Sequence, residues 1–163
     1  MDYDDYFHNT NSRTPLPGYD GYIVLESSDR PIRYHFHSTF IGGLNAQECH
    51  TMAMASCRLA CTATDVIRGK LGLSHLNRAM TKPCLDRLQT MQYLLDAHML
   101  THPELKAKLC YLPVVPTFID GTNISKDTLE MAVFVMIGKE DIRVNLKLRF
   151  IGSRWMCVYA DLG

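Results

Sequence analysis

The sequence predicts an α+β domain, and three observations carry that prediction. Helical spacing of apolar residues fills the stretch from Asn45 to about residue 102, and strand alternation fills the stretch from Tyr111 to the end. Residues 1–30 hold neither period apart from short extended runs at Tyr22–Leu25 and, just beyond, Ile32–His37. Helices that precede strands, rather than alternating with them, cover one face of an antiparallel sheet. The expectation is three helices packed on one face of a curved antiparallel meander sheet of about four strands, with an irregular N-terminal arm. Residues 1–40 make the arm and 41–163 the single domain.

Each element has a local cause. Asn45 is a helix cap, and Cys49, Met52, Ala53, Ser56, Leu59, Ala60, Ala63, Val66 and Ile67 follow it at helical spacing. Gly69 and Gly72 end that helix. Ser74 caps a short helix to about Met80, and Thr81 caps a third with Pro83 in its first turn. Leu85, Leu88, Met91, Leu95 and Met99 form the apolar face of the third helix, and Pro103 lies just past its end. Pro113 and Pro116 assign the next strand to a sheet edge, because proline cannot donate to a ladder. Gly121-Thr122-Asn123 reads as a turn. Leu129 to Ile137 and Ile142 to Phe150 then alternate around a loop at 138–141, and Gly152-Ser153 leads into a last strand from Trp155.

Charge separates the arm from the body. The chain has 17 basic and 17 acidic residues. Residues 1–29 hold six carboxylates against Arg13 alone, a net −5, which leaves +5 on the rest. The 47% hydrophobic and 21% charged composition excludes wholesale disorder and a coiled coil. Met1 is followed by an acidic run with no apolar segment, and no stretch approaches the roughly 18 apolar residues of a membrane span. A cytoplasmic location is therefore expected, with the six cysteines reduced. None of the cysteines falls in a CxxC pair.

The C-terminal string Gly-Ser-Arg-Trp-Met-Cys-Val-Tyr-Ala-Asp-Leu-Gly, with Ile67-Arg68-Gly69-Lys70 and Leu76 upstream, resembles a family of small uncharacterised actinobacterial proteins. That family is often encoded near the motor ATPase of the preprotein translocase. Gly152, Arg154, Trp155, Cys157 and Gly163 match its terminal motif, and the resemblance covers about residues 46–163. The topology is also similar to the nuclear-transport-factor-2-like cone. The resemblance implies no catalytic residue. It makes a partner in protein export conceivable by gene neighbourhood.

Three groups of residues carry candidate chemistry. His50, Met54, Cys57 and Cys61 form a second stripe on the first helix, all soft or borderline metal ligands, with His35 and His37 upstream. Core filling accounts for that stripe better, so no metal and no cofactor is expected. Arg143, Lys147 and Arg149 alternate with Asn145 on one face of a strand and make a basic ridge. No aromatic residue is interleaved with them in sequence, which argues against an RNA-stacking platform. Asp2, Tyr3, Asp4, Asp5, Tyr6 and Phe7 combine negative charge with rings suited to an interface.

With no G-x-S-x-G, phosphate loop or dinucleotide fingerprint, no catalytic residue is assigned. The expectation is a non-enzymatic protein-interaction module that docks a protein partner through the arm and the ridge, with self-association left open. One alternative is a small-molecule-binding or catalytic cone, with a pocket lined by Met91, Leu95, Val133, Leu146 and Trp155. A second is a ribonucleoprotein-associated factor that uses the basic strand. Trp155, on the last strand, is expected to be a buried structural residue.

Overall fold

The computed structural model describes residues 15–26 and 28–163. The acidic-aromatic segment from Asp2 to Phe7 lies outside the described residues. Two strands open the described chain, β1 at Gly18–Ile23 and β2 at Ile32–Ser38. The helical stretch follows, with α1 at Ala46–Ile67, a 3-10 turn at Leu73–Leu76, α2 at Lys82–Thr101 and α3 at Pro103–Leu109. Four strands close the chain: β3 at Val114–Ser125, β4 at Thr128–Ile137, β5 at Glu140–Ile151 and β6 at Arg154–Leu162.

The sheet corrects the expectation of about four antiparallel strands. It has six strands in the order β1-β2-β3-β4-β5-β6, and β2 runs parallel to β3. The long helical crossover between β2 and β3 is what allows a parallel pair, since a short hairpin cannot make one. The extra strands come from the segment read as arm. Ile32, Tyr34 and Phe36 of β2 are 1%, 5% and 1% exposed, so this strand carries part of the core.

The same pairing moves β3 from the edge to the interior. Pro113 lies just before the strand, and Pro116 still obeys the edge rule locally: β2 pairs only with Phe118 to Asn123, so Pro116 has a neighbour on one side alone. Against β4 the register shifts between Pro116 and Phe118, where the ladder accommodates the missing N–H. Gly121-Thr122-Asn123 is not a turn but continuous strand. Gly121 stands there because the Phe36 ring of β2 covers it: a Cβ at this position would lie 2.6 Å from Phe36 Cε1. The reversal instead falls at Lys126-Asp127, where Asp127 accepts from the hydroxyls of Ser125 and Thr128.

All three helices lie on one face of the sheet, as the sequence implies. Asn45 and Glu48 form a reciprocal capping box at the start of α1, which packs on β1, β3, β4 and β5. Ala53, Cys57, Ala60, Ala63 and Val66 are completely buried there, against Leu129, Val133 and Val144 of the sheet. α2 lies over β6 and buries Cys84, Leu88 and Met99. The short helix expected after Ser74 is a single 3-10 turn, and Pro103 lies just past the end of α2 as expected but opens a further short helix, α3. Arg68 ends α1 and is 6% exposed. Its guanidinium donates to Asp65 (Nε–Oδ1 2.7 Å) and to the carbonyls of Leu109 and Leu112, which ties the helical layer to the entry of β3.

Trp155 is only half-buried. It sits opposite Phe150 near the β5–β6 turn, with ring centroids 5.5 Å apart.

Candidate binding face

Among the described residues no helix covers the other face of the sheet, and strand register arranges its side chains in rows, three of which cross its middle. The first crosses all six strands: Asp20, His35, Asp120, Ala132, Asn145 and Asp161. The second runs His37, Thr122, Glu130, Lys147 and Tyr159 from β2 to β6. The third runs Arg33, Phe118, Phe134 and Arg143 from β2 to β5. Alternation alone places a residue on this face; the pairing of strands gives it neighbours.

Small Ala132 sits between taller side chains and leaves a concavity of about 250 Å³. Asp120, Thr122, Glu130, Arg143, Asn145, Lys147 and Tyr159 line it. Arg87 reaches round the β6 edge from α2. It donates to the Ala160 carbonyl (3.1 Å) and the Tyr159 hydroxyl (2.9 Å), with its guanidinium 4.5 Å from the Tyr159 ring centroid. It also pairs with Asp161 at 3.3 Å, so Tyr159 is held in place while 42% exposed.

The basic ridge lies on β5 as expected, with Arg143, Lys147 and Arg149 all exposed. None of the three forms an ion pair among the described residues. The absence of interleaved aromatics holds only along the strand. Across it, Phe134 faces Arg143 with the guanidinium 5.7 Å from its centroid, and Tyr159 faces Lys147. Phe118 extends the patch, 5.9 Å from Phe134. Sequence reasoning missed Phe118, Phe134, Tyr159 and Arg87, because their proximity to the ridge is a property of register.

The histidines also part from the stripe they were grouped with. His35 and His37 project to the open face, whereas α1 lies on the other side of the sheet. His50 meets the Tyr34 hydroxyl at 3.4 Å. Cys57 is fully buried, while Met54 and Cys61 pack partly against the core. The hydrogen bond shared with Cys61, together with burial, pushes the Cys57 thiol well up, and the same bond lowers Cys61. All six cysteines are free thiols, including Cys84 and Cys157, whose sulfurs lie 3.9 Å apart in the core.

The pocket expected between helices and sheet does not form from the residues named for it. Val133 and Leu146 are core residues with 0% and 2% exposure. Met91 and Leu95 instead border an open groove of about 670 Å³ between α2, Leu109 and the β5 and β6 ends. Among the described residues, no helix is long and apolar enough to cross a membrane. No family model, curated protein or solved structure matches this chain.

Proposed function

We propose that the protein is a non-enzymatic interaction module that docks an acidic, aromatic-containing segment of a protein partner on its open sheet face. The observation that carries this reading is the cation row on β5, without ion pairs among the described residues, with rings beside it. Arg143 to Arg149 spans about 20 Å at strand spacing, enough for an extended peptide of about six residues. Charge on such a row steers association, and the flanking rings give the partner apolar area to bury. The acidic arm from Asp2 to Phe7 serves as a second docking element, on the strength of its composition. Six free thiols accord with a reducing, cytoplasmic setting.

The rings beside the cations favour one second reading, a single-stranded nucleic acid stacked on Phe118, Phe134 and Tyr159. A nucleic acid carries a phosphate at every residue and would set some of them against Asp120, Glu130 and Asp161 on the same face, whereas a peptide can place uncharged residues there.

One titration separates the two. A fluorescent peptide alternating glutamate and tyrosine, and a mixed-sequence RNA 12-mer, are titrated with the full chain at two salt concentrations. The proposal expects peptide binding that falls at least tenfold in Arg143→Glu/Lys147→Glu and is unchanged in Lys70→Glu, on the far side of the molecule's helical layer. RNA binding tighter than peptide binding, with a steep salt slope and loss in Phe134→Ala, would replace it with the second reading. Peptide binding indifferent to the β5 charges refutes it.

A further inference from the structure

We propose that His35, His37 and Asp120 form a mononuclear site for a borderline divalent transition metal, with Zn²⁺ as the type ion, and that Asp20 orients His35 within it. The local cause is plain. Residues two apart on a strand share a face, so His35 and His37 point the same way from β2. Parallel pairing then places Asp120 opposite His35 and Thr122 opposite His37. One donor atom from each of His35, His37 and Asp120 lies within 4.8 Å of the other two. Two donors on one tetrahedral ion stand roughly 3.3 Å apart, so side-chain rotation of about 1.5 Å or less closes the set. Partly exposed side chains at all three positions have room for that movement.

A second observation is independent of that proximity. Both imidazoles are already held from behind. His35 Nδ1 lies 2.9 Å from Asp20 Oδ1. A carboxylate only accepts, so Nδ1 carries the proton and Nε2 keeps the lone pair a metal needs. Arg33 holds the same Asp20 oxygen at 3.7 Å. His37 Nε2 meets Thr122 Oγ1 at 3.2 Å, which leaves Nδ1 as its free nitrogen. A carboxylate behind a histidine is the arrangement that fixes tautomer and ring orientation at metal centres.

The donor set selects the metal. Two imidazoles and one carboxylate suit zinc-like ions, whereas calcium and magnesium favour all-oxygen cages and copper(I) favours thiolates. Three protein donors leave at least one position open, as in catalytic rather than structural sites. Asp120 also lines the concavity beside Ala132, whose wall includes Lys147 and Arg143 two strands away.

The experiment uses the full chain, freed of metal by chelation and titrated with Zn²⁺ against a chelating dye. The expected result is one equivalent bound, weakened at least tenfold in His37→Ala and in the conservative Asp120→Asn. Asp20→Asn should keep the stoichiometry and weaken affinity about 10- to 100-fold. Cys57→Ser/Cys61→Ser should bind as the parent does, and Co²⁺ should give a spectrum without the intense sulfur-to-cobalt band of thiolate ligation. Circular dichroism confirms that each variant is folded. Absence of Zn²⁺ uptake by the parent, uptake that survives His35→Ala/His37→Ala, or a thiolate band lost in the cysteine variant would each overturn the proposal.

Discussion

Substituting Gly121 by alanine tests how the strands carrying His35, His37 and Asp120 are locked together. Gly121 of β3 lies opposite Phe36 of β2, and Phe36 is 1% exposed. A new Cβ would stand 2.6, 2.8 and 2.9 Å from Cε1, Cδ1 and Cζ of that ring. Carbon atoms rest at about 3.5–4.0 Å, so the ring or the strand must retreat by about 1 Å inside a filled core. Overpacking of this kind costs about 1–3 kcal/mol. Alanine recovers about 0.5–1 kcal/mol by restricting the unfolded chain. The net loss should be about 1–2 kcal/mol, read as a lower urea midpoint at unchanged slope. Phe36→Leu is destabilising alone, but it removes the ring atoms that clash. The double variant Gly121→Ala/Phe36→Leu should therefore be more stable than the sum of the singles predicts, by about 1 kcal/mol. Zn²⁺ affinity should fall in Gly121→Ala and recover in the double variant. Additive losses within about 0.4 kcal/mol, or a stabilising Gly121→Ala, would refute the argument that the ring requires glycine here.

Three further outcomes follow from the packing. Arg68→Ala removes a buried guanidinium and strips the part-buried carbonyls of Leu109 and Leu112 and the Asp65 carboxylate of their donor, so it should cost about 2–3 kcal/mol in urea unfolding, and a loss below about 1 kcal/mol would contradict it. Trp155→Ala should cost about 2 kcal/mol, less than the 3–5 kcal/mol of a fully buried ring, because the indole is half-buried beside Phe150. Burial, with the Glu48 carboxylate adding to it, pushes the Cys49 thiol from its ordinary 9.0 up to about 11. The folded state thus keeps a proton that the unfolded chain releases first. The stability this confers is intact below about pH 9 and lost as pH rises through 11, so the alkaline fall in urea midpoint should be shallower in Cys49→Ala.

Much of the fold is written locally. The Asn45–Glu48 capping box, the buried stripe of α1 and the alternation of β4 and β5 each rest on residues within a few positions of one another. Such patterns report which side of an element is apolar, and they located the helical layer, the last three strands and the basic ridge of Arg143, Lys147 and Arg149. The turn assigned at Gly121 failed for a physical reason: glycine marks close approach as well as reversal, and the approaching group, Phe36, is 85 positions away in sequence. Likewise, the alternation of Ile32, Tyr34 and Phe36 marks β2 as extended, but its pairing with β1 on one side and β3 on the other joins residues far apart in sequence, so the chain alone does not show that these strands belong to the sheet rather than to an arm.

The binding face divides along the same line. That His35 and His37 share a face, and that three cations share another strand's face, follows from strand period two and needs nothing beyond the chain. That Asp20 and Asp120 flank His35, and that Phe134 and Tyr159 flank the cations, depends on which strand pairs with which and in what register. Register is set by the burial of Ile32, Tyr34, Phe36, Ile119 and Val133 against α1 on the opposite side of the sheet. A one-residue slip would bury the histidines and expose that core, so the helix-facing side of the sheet fixes the chemistry of the side it never touches.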